Sequence, residues 1–161
     1  MKLRTWTLKD IESVFHNANN VDVYKFMSDE FPNSLEAWKS FIDATLNDKE
    51  ILYLAIEIDG KAVGGIGISP QKGIMRRNAE LGYWLGQNYW GQGIMTKAIK
   101  EIVRLAFYKF DIDRIYAKPF AINIPSQRIL EKAGFVLEAK FEKTVIKNGV
   151  LLDECIYAIR K

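Results

Sequence analysis

Apolar and polar positions along this chain switch between a two-residue period and a helical one. Alternation marks residues 51–58 and 61–68, which flank Asp59-Gly60, a two-residue turn signal. These segments predict a hairpin, with 78–86 as the third member of a meander. A second hairpin is predicted for 135–146 and 150–160 across Asn148-Gly149, and short strands are expected at 2–6 and 113–118. Helical spacing takes over elsewhere. Leu35, Trp38, Phe41, Ile42 and Leu46 share a face behind Ser34, a suitable cap. Met95, Ala98, Ile99, Ile102, Leu105 and Ala106 share another on a helix expected over 94–109. Thr7, with Asp10 three positions on, reads as the capping signal of a first helix that ends near Asn17. Pro125 suits a first helical turn and Gly134 a left-handed stop, so a helix is predicted over 125–133. Residues 17–33 carry no period and are expected to be irregular.

The element order is strand, two helices, three strands, helix, strand, helix, two strands. It predicts a mixed α/β (α+β) fold. Its centre would be a mainly antiparallel sheet of about seven strands with helices on both faces. A regular βαβ alternation is absent. The 161 residues fit one domain spanning 1–161. A chain of this length buries about 70% of its unfolded surface and needs no disulfide or metal to fold.

Composition narrows the function classes. The net charge is only +3 and the basic residues are scattered, so no nucleic-acid arm is expected. A mildly basic surface still favours an anionic ligand. Cys155 is the one cysteine and His16 the one histidine, which argues against a disulfide framework and a Cys/His zinc site. No signal-peptide pattern opens the sequence and no apolar run reaches membrane-spanning length. A cytoplasmic location without membrane contact or metal is the expectation.

The richest segment runs from Glu80 through Gly91-Gln92-Gly93-Ile94-Met95-Thr96. It reads as a strand, a tight glycine turn and a helix start. Such a junction aims main-chain N–H groups at one point, where the helix dipole adds roughly +0.5 of a charge. A phosphate or pyrophosphate fits there. The glycines alone are equally consistent with a turn that holds no ligand. A dinucleotide fingerprint needs Gly or Ala where Thr96 stands, and the Gly-Lys-Ser/Thr of a phosphate loop is missing.

Two blocks resemble a known family. Glu80-Leu81-Gly82-Tyr83-Trp84-Leu85 with Tyr89-Trp90-Gly91-Gln92-Gly93-Ile94-Met95-Thr96 is similar to the cofactor motif of GNAT N-acetyltransferases. Asn123, Ser126, Arg128, Leu130, Glu131, Lys132, Gly134 and Phe135 match the pattern N-x-x-S-x-R-x-L-E-K-x-G-F of the RimJ/RimL-like branch. Asn88 departs from the Gln or Arg usual at its position. The resemblance implies acetyl-CoA as cosubstrate. Its pyrophosphate would lie on the amides of Gly91, Gln92, Gly93, Ile94, Met95 and Thr96, and the Thr96 hydroxyl would add a donor. Its pantetheine arm would run along Tyr83, Trp84 and Leu85 as an added strand. Asn123 would bond that arm, or else cap the helix beginning near Pro125.

The same resemblance suggests the chemistry. An amine attacks a thioester only when neutral, and a carboxylate can accept its proton. Glu80 is the candidate base. The alternative is a solvated Glu paired with Arg76 or Arg77. Ser126 is the candidate acid at the departing sulfur and a second cofactor contact, or else a first-turn serine with no such role. Tyr116 and Tyr157 are possible substitutes but are expected in the core, as are Trp38 and Phe41. Tyr24, Phe26 and Phe31, with Glu80, are the candidate acceptor-binding residues. His16 would lie at a helix end, where a surface role is the plainer expectation. Cys155 reads as a buried small hydrophobe. The implied activity is acetyl transfer to a primary amine, either a protein N-terminus such as a ribosomal protein's or a small amine. A catalytically silent acetyl-CoA-binding module is the alternative. A homodimer through a sheet edge is possible in such a family.

Overall fold

In the computed structural model, which describes residues 1–27 and 31–161, the meander forms as the alternation requires. Strand β1 covers Lys2–Arg4, β2 Leu52–Ile58, β3 Lys61–Pro70 and β4 Asn78–Leu85. The β2–β3 turn holds Asp59 and Gly60 at φ of 49° and 78°, the left-handed pair that a two-residue hairpin demands. After β4 come helix α4 (Ile94–Lys109), β5 (Arg114–Ala117), α5 (Ile124–Ala133), β6 (Val136–Lys147) and β7 (Val150–Arg160). Helix α5 stops at Gly134, in the left-handed conformation predicted for it. The seven strands lie in the order β1-β2-β3-β4-β5-β7-β6. Every pairing is antiparallel except β4 with β5.

Each face of the sheet carries its own core. One contains Ile66, Ile68 and Leu81 with Ile99 and Ile102 of α4 and Leu130 of α5. The other gathers Trp6, Trp84 and Ala55 with Val14 and Ala18 of helix α1 (Ile11–Ala18) and with Trp38 and Ile42 of helix α3 (Leu35–Asn47). Helices therefore cover both faces. Arg4 anchors the first connection through two 2.7 Å bonds to the buried Asp10, whose carboxylate also accepts from the Thr7 N–H at 2.9 Å.

Three local expectations change. Residues 17–33, of which 28–30 lie outside the described residues, are not wholly irregular. Helix α1 runs to Ala18, and a four-residue helix α2 (Val21–Tyr24) follows, capped by the Asn20 side chain. One turn is too short to show a period. On α3, Ser34 caps as expected, but Leu35 and Leu46 are exposed because only the middle of the helix lies over the sheet. Tyr157 is buried as expected, whereas Tyr116 is only half-buried and belongs to the site described next. No helix among the described residues is long and apolar enough to cross a membrane.

Candidate active site

The sheet opens where β4 and β5 part. Their parallel register holds for Asn78↔Arg114, Ala79↔Ile115 and Glu80↔Tyr116 and then ends. Each strand is drawn to its other neighbour. Beyond β5 the chain keeps bonding β7, with Cys155 N–H to Pro119 O at 2.9 Å and Ala121 N–H to Asp153 O at 2.8 Å. Strand β4 stays with β3 as far as Leu85, and Gly86 N–H reaches Val63 O at 2.8 Å. In an antiparallel ladder alternate residues bond the same neighbour, so Trp84 and Gly82 turn toward β3 while Leu81 and Tyr83 face the gap. The Leu85 carbonyl also turns outward and accepts the Trp90 indole N–H at 2.7 Å. Of the three residues predicted to flank an added strand, Trp84 is placed otherwise. Its indole is buried and bonds the Tyr53 hydroxyl, and its main-chain groups belong to the β3 ladder.

The gap ends at the glycine turn. A short 3-10 segment, Gln87–Tyr89, follows β4, and Gly93 (φ 72°, ψ 5°) caps α4. Lys97 is the first residue to donate back into the helix, to Gly93 O at 3.2 Å. The N–H groups of Ile94, Met95 and Thr96 therefore have no acceptor within the helix. No acid occupies the first turn of α4. A Cβ added at Gly91 or Gly93 would meet no heavy atom within 4 Å, so positive φ requires these glycines and the space beside them is open. The exposed N–H groups suit an anion chemically, and the glycines leave a ligand free to approach the backbone.

Across the gap, Asn123 caps α5. Its Oδ1 accepts the Ser126 N–H at 3.3 Å, which leaves the side-chain NH₂ able to donate to a ligand carbonyl. The two roles expected for Asn123 use different atoms and are compatible. Ser126 Oγ lies 2.7 Å from the Tyr83 hydroxyl. Burial pushes the Tyr83 phenol up to about 12, against a smaller opposing effect of Ser126, so it stays protonated at neutral pH.

On the opposite face, Glu80 pairs with neither Arg76 nor Arg77. Arg77 is held instead by Asp111 and Asp113. Glu80 Oε1 meets Lys118 Nζ at 3.1 Å, and Oε2 accepts from the Tyr116 hydroxyl at 3.3 Å. Burial alone would lower the Lys118 pKa, but the hydrogen bond and charge of Glu80 outweigh it and hold the ammonium above its usual value. Lys118 is the contact that sequence reasoning missed, and Tyr116, expected there in the core, bonds Glu80 instead. Their signal was the spacing Arg114, Tyr116, Lys118, which puts three polar side chains on one face of β5 and its extension.

The other candidates scatter. Phe31 is half-buried and packs edge-on against Trp38 and Trp84 of the aromatic cluster, at 5.5 and 5.8 Å between ring centres. Tyr24 is exposed on α2, and Phe26 is half-buried with the Lys25 ammonium 5.2 Å from its ring centre. His16 lines a groove of about 360 Å³ between α1 and the turn before α4, together with Asn20, Gln87 and Asn88. Cys155 is buried.

A gap between two parallel strands leads here to an unsatisfied helix N-terminus, an arrangement chemically suited to an elongated anionic ligand. Comparison with known proteins identifies the family. Residues 1–136 match the profile of the "Acetyltransferase (GNAT) domain". The chain belongs to the GNAT family and is an N-acetyltransferase similar to its RimJ/RimL-like members. It is 41% identical to YjcK of Bacillus subtilis over 83 residues, 52% of this chain and 46% of that one. A 27% identity over 84 residues links it to the ribosomal-protein-serine acetyltransferase of Escherichia coli, across 52% of this chain and 47% of that protein. Both alignments span only about half of those relatives' length. Among solved structures, the microcin C7 self-immunity acetyltransferase MccE, in complex with acetyl-CoA and AMP, superposes with a TM-score of 0.86 at 30% identity, covering 99% of this chain and 91% of that one.

Proposed function

We propose that this protein transfers the acetyl group of acetyl-CoA to a primary amine by direct attack, without an acyl-enzyme. The observation that carries the proposal is the β4–β5 gap ending at three unsatisfied N–H groups of α4. The complex of the similar MccE acetyltransferase with acetyl-CoA supports the identity of the ligand. Acetyl-CoA, when bound, supplies an activated thioester. The amides of residues 91–96 and the Thr96 hydroxyl hold its pyrophosphate. The gap-facing main-chain groups of Leu81 and Tyr83, with the Asn123 amide, hold its arm. A free N–H of β4 polarises the acetyl carbonyl, a kind of donor whose loss costs about 3–4 kcal/mol in other enzymes.

Glu80 takes the proton of the acceptor's ammonium, directly or through water. Ser126 Oγ, backed by the Tyr83 hydroxyl, donates to the departing sulfur. A thiol with a pKa near 8.5 leaves readily, so this donor contributes modestly, on the order of one hydrogen bond. Cys155 takes no part, since it is buried and burial pushes its thiol up. The acceptor is a peptide N-terminus or a small amine, the former suggested by the ribosomal-protein-serine acetyltransferase. The test is Glu80→Gln in a thiol-release assay. The expected result at pH 7 is a fall of about 100-fold in kcat with acetyl-CoA affinity retained. The deficit should narrow at high pH, where the amine deprotonates unaided. An unchanged kcat at pH 7 would remove Glu80 from this role.

A further inference from the structure

We infer that the acceptor is an α-amino acid or an equally compact zwitterion, whose amine meets Glu80 while its carboxylate meets Lys118. The inference rests on the acyl-transfer proposal above and narrows its acceptor. Glu80, Tyr116 and Lys118 share one face where the β4–β5 register ends, so the Glu80–Lys118 pair stands at the mouth of the gap. With side chains 35% and 38% exposed, the two ions are neither sealed in nor freely solvated, and an incoming molecule can reach both.

The charges select the ligand. Glu80 and Lys118 together are neutral. An acceptor bringing only an ammonium must take Glu80 away from Lys118 and leave that ion without its partner. A zwitterion restores both pairings. Its ammonium goes to Glu80 and its carboxylate to Lys118, whose Nζ has three N–H donors and, among the described residues, makes one bond, to Glu80. Glu154 also attracts the Lys118 ammonium at longer range. The Glu80 and Lys118 polar atoms lie 3.1 Å apart, a span that suits an amine and an acid on the same carbon. A peptide N-terminus has a neutral carbonyl at that position and leaves Lys118 unmatched.

The experiment compares matched acceptors. Amino acids and their own carboxamides are assayed by thiol release from acetyl-CoA, with rates expressed per unprotonated amine. The wild type is expected to favour the acid over its amide by about 10- to 100-fold, chiefly in KM, as one charge-assisted hydrogen bond allows. In Lys118→Met that ratio should fall toward one, and Lys118→Arg should keep most of it. A loss of rate for acids and amides alike in Lys118→Met would mark a merely structural lysine and overturn the inference. So would equal use of amides or peptide N-termini by the wild type. If no amine releases thiol although acetyl-CoA binds, the acyl-transfer proposal itself fails.

Discussion

Replacing Gly93 separates a cradle from a mere turn. Gly93 sits at φ 72° and Gly60, in the β2–β3 hairpin, at φ 78°. At neither would a new Cβ meet a heavy atom within 4 Å. Gly93→Ala and Gly60→Ala therefore carry the same backbone penalty, about 1 kcal/mol for a left-handed alanine. In a chain of 161 residues that lowers Tm by about 2–4 °C in each variant. What differs is the surroundings. The methyl at Gly93 projects at the start of α4, where Ile94, Met95 and Thr96 present unsatisfied N–H groups. Displacing the pyrophosphate by even one charge-assisted hydrogen bond costs about 1.5–3 kcal/mol. The expected result is an acetyl-CoA Kd weaker by about 10- to 100-fold in Gly93→Ala and within twofold of wild type in Gly60→Ala. Thermal melts measure the first quantity and calorimetric titration the second. Equal losses of Tm with an unchanged Kd in Gly93→Ala would refute the cradle.

Two further outcomes follow from named contacts. Tyr83→Phe removes the hydroxyl 2.7 Å from Ser126 Oγ and is expected to lower kcat about 3- to 10-fold with little change in KM. Combining it with Ser126→Ala should cost no more than Ser126→Ala alone, and additive losses in steady-state kinetics would break the proposed relay. At Asp10, burial raises the pKa, but the hydrogen bonds of Arg4 and Thr7 outweigh it and the net shift is downward. A depressed carboxylate stabilises the fold above its unfolded value near 4, and this contribution is lost as pH falls through the lower folded value. Asp10→Asn should therefore be less stable than wild type at pH 7, with the difference shrinking below about pH 4 in acid-denaturation curves.

What the sequence disclosed was what local chemistry decides. Asp59-Gly60 and Asn148-Gly149 mark their hairpins because each first residue adopts φ of 49° and each glycine 77–78°, which few residue pairs tolerate. Pro125 and Gly134 bracket α5 for equally local reasons. The strand, glycine turn and helix start were legible because they are one contiguous stretch. The surroundings of Glu80 were not. Its partners come from a strand more than thirty residues away, and alternation shows which residues share a face without showing which strands adjoin. The parting of β4 and β5 is decided by non-local competition, since Pro119 and Ala121 bond β7 while Leu85 stays with β3. Phe31 had no period to place it, and its edge-on contacts with Trp38 and, far along the chain, Trp84 could not be read from the sequence.

That parting also explains why direct transfer suits this sheet. Glu80 and Tyr83 lie on the same strand at positions of opposite parity, so their side chains leave opposite faces. Tyr83 meets Ser126 at the N-terminus of α5, on the side that would hold the thioester sulfur. Glu80 meets Lys118 on the side that would hold the amine. In a continuous sheet the hydrogen-bonded backbone would separate the two. Because β5 leaves β4 after Tyr116, the backbone between Glu80 and Tyr83 has one edge open, and there the two sides communicate. On the proposed reaction, the amine reaches the acetyl carbon from the Glu80 side and forms the C–N bond, the C–S bond breaks toward Ser126, and a free N–H of β4 holds the carbonyl oxygen. Closing the gap would remove the anchor of the arm, the carbonyl's donor and the path of attack together.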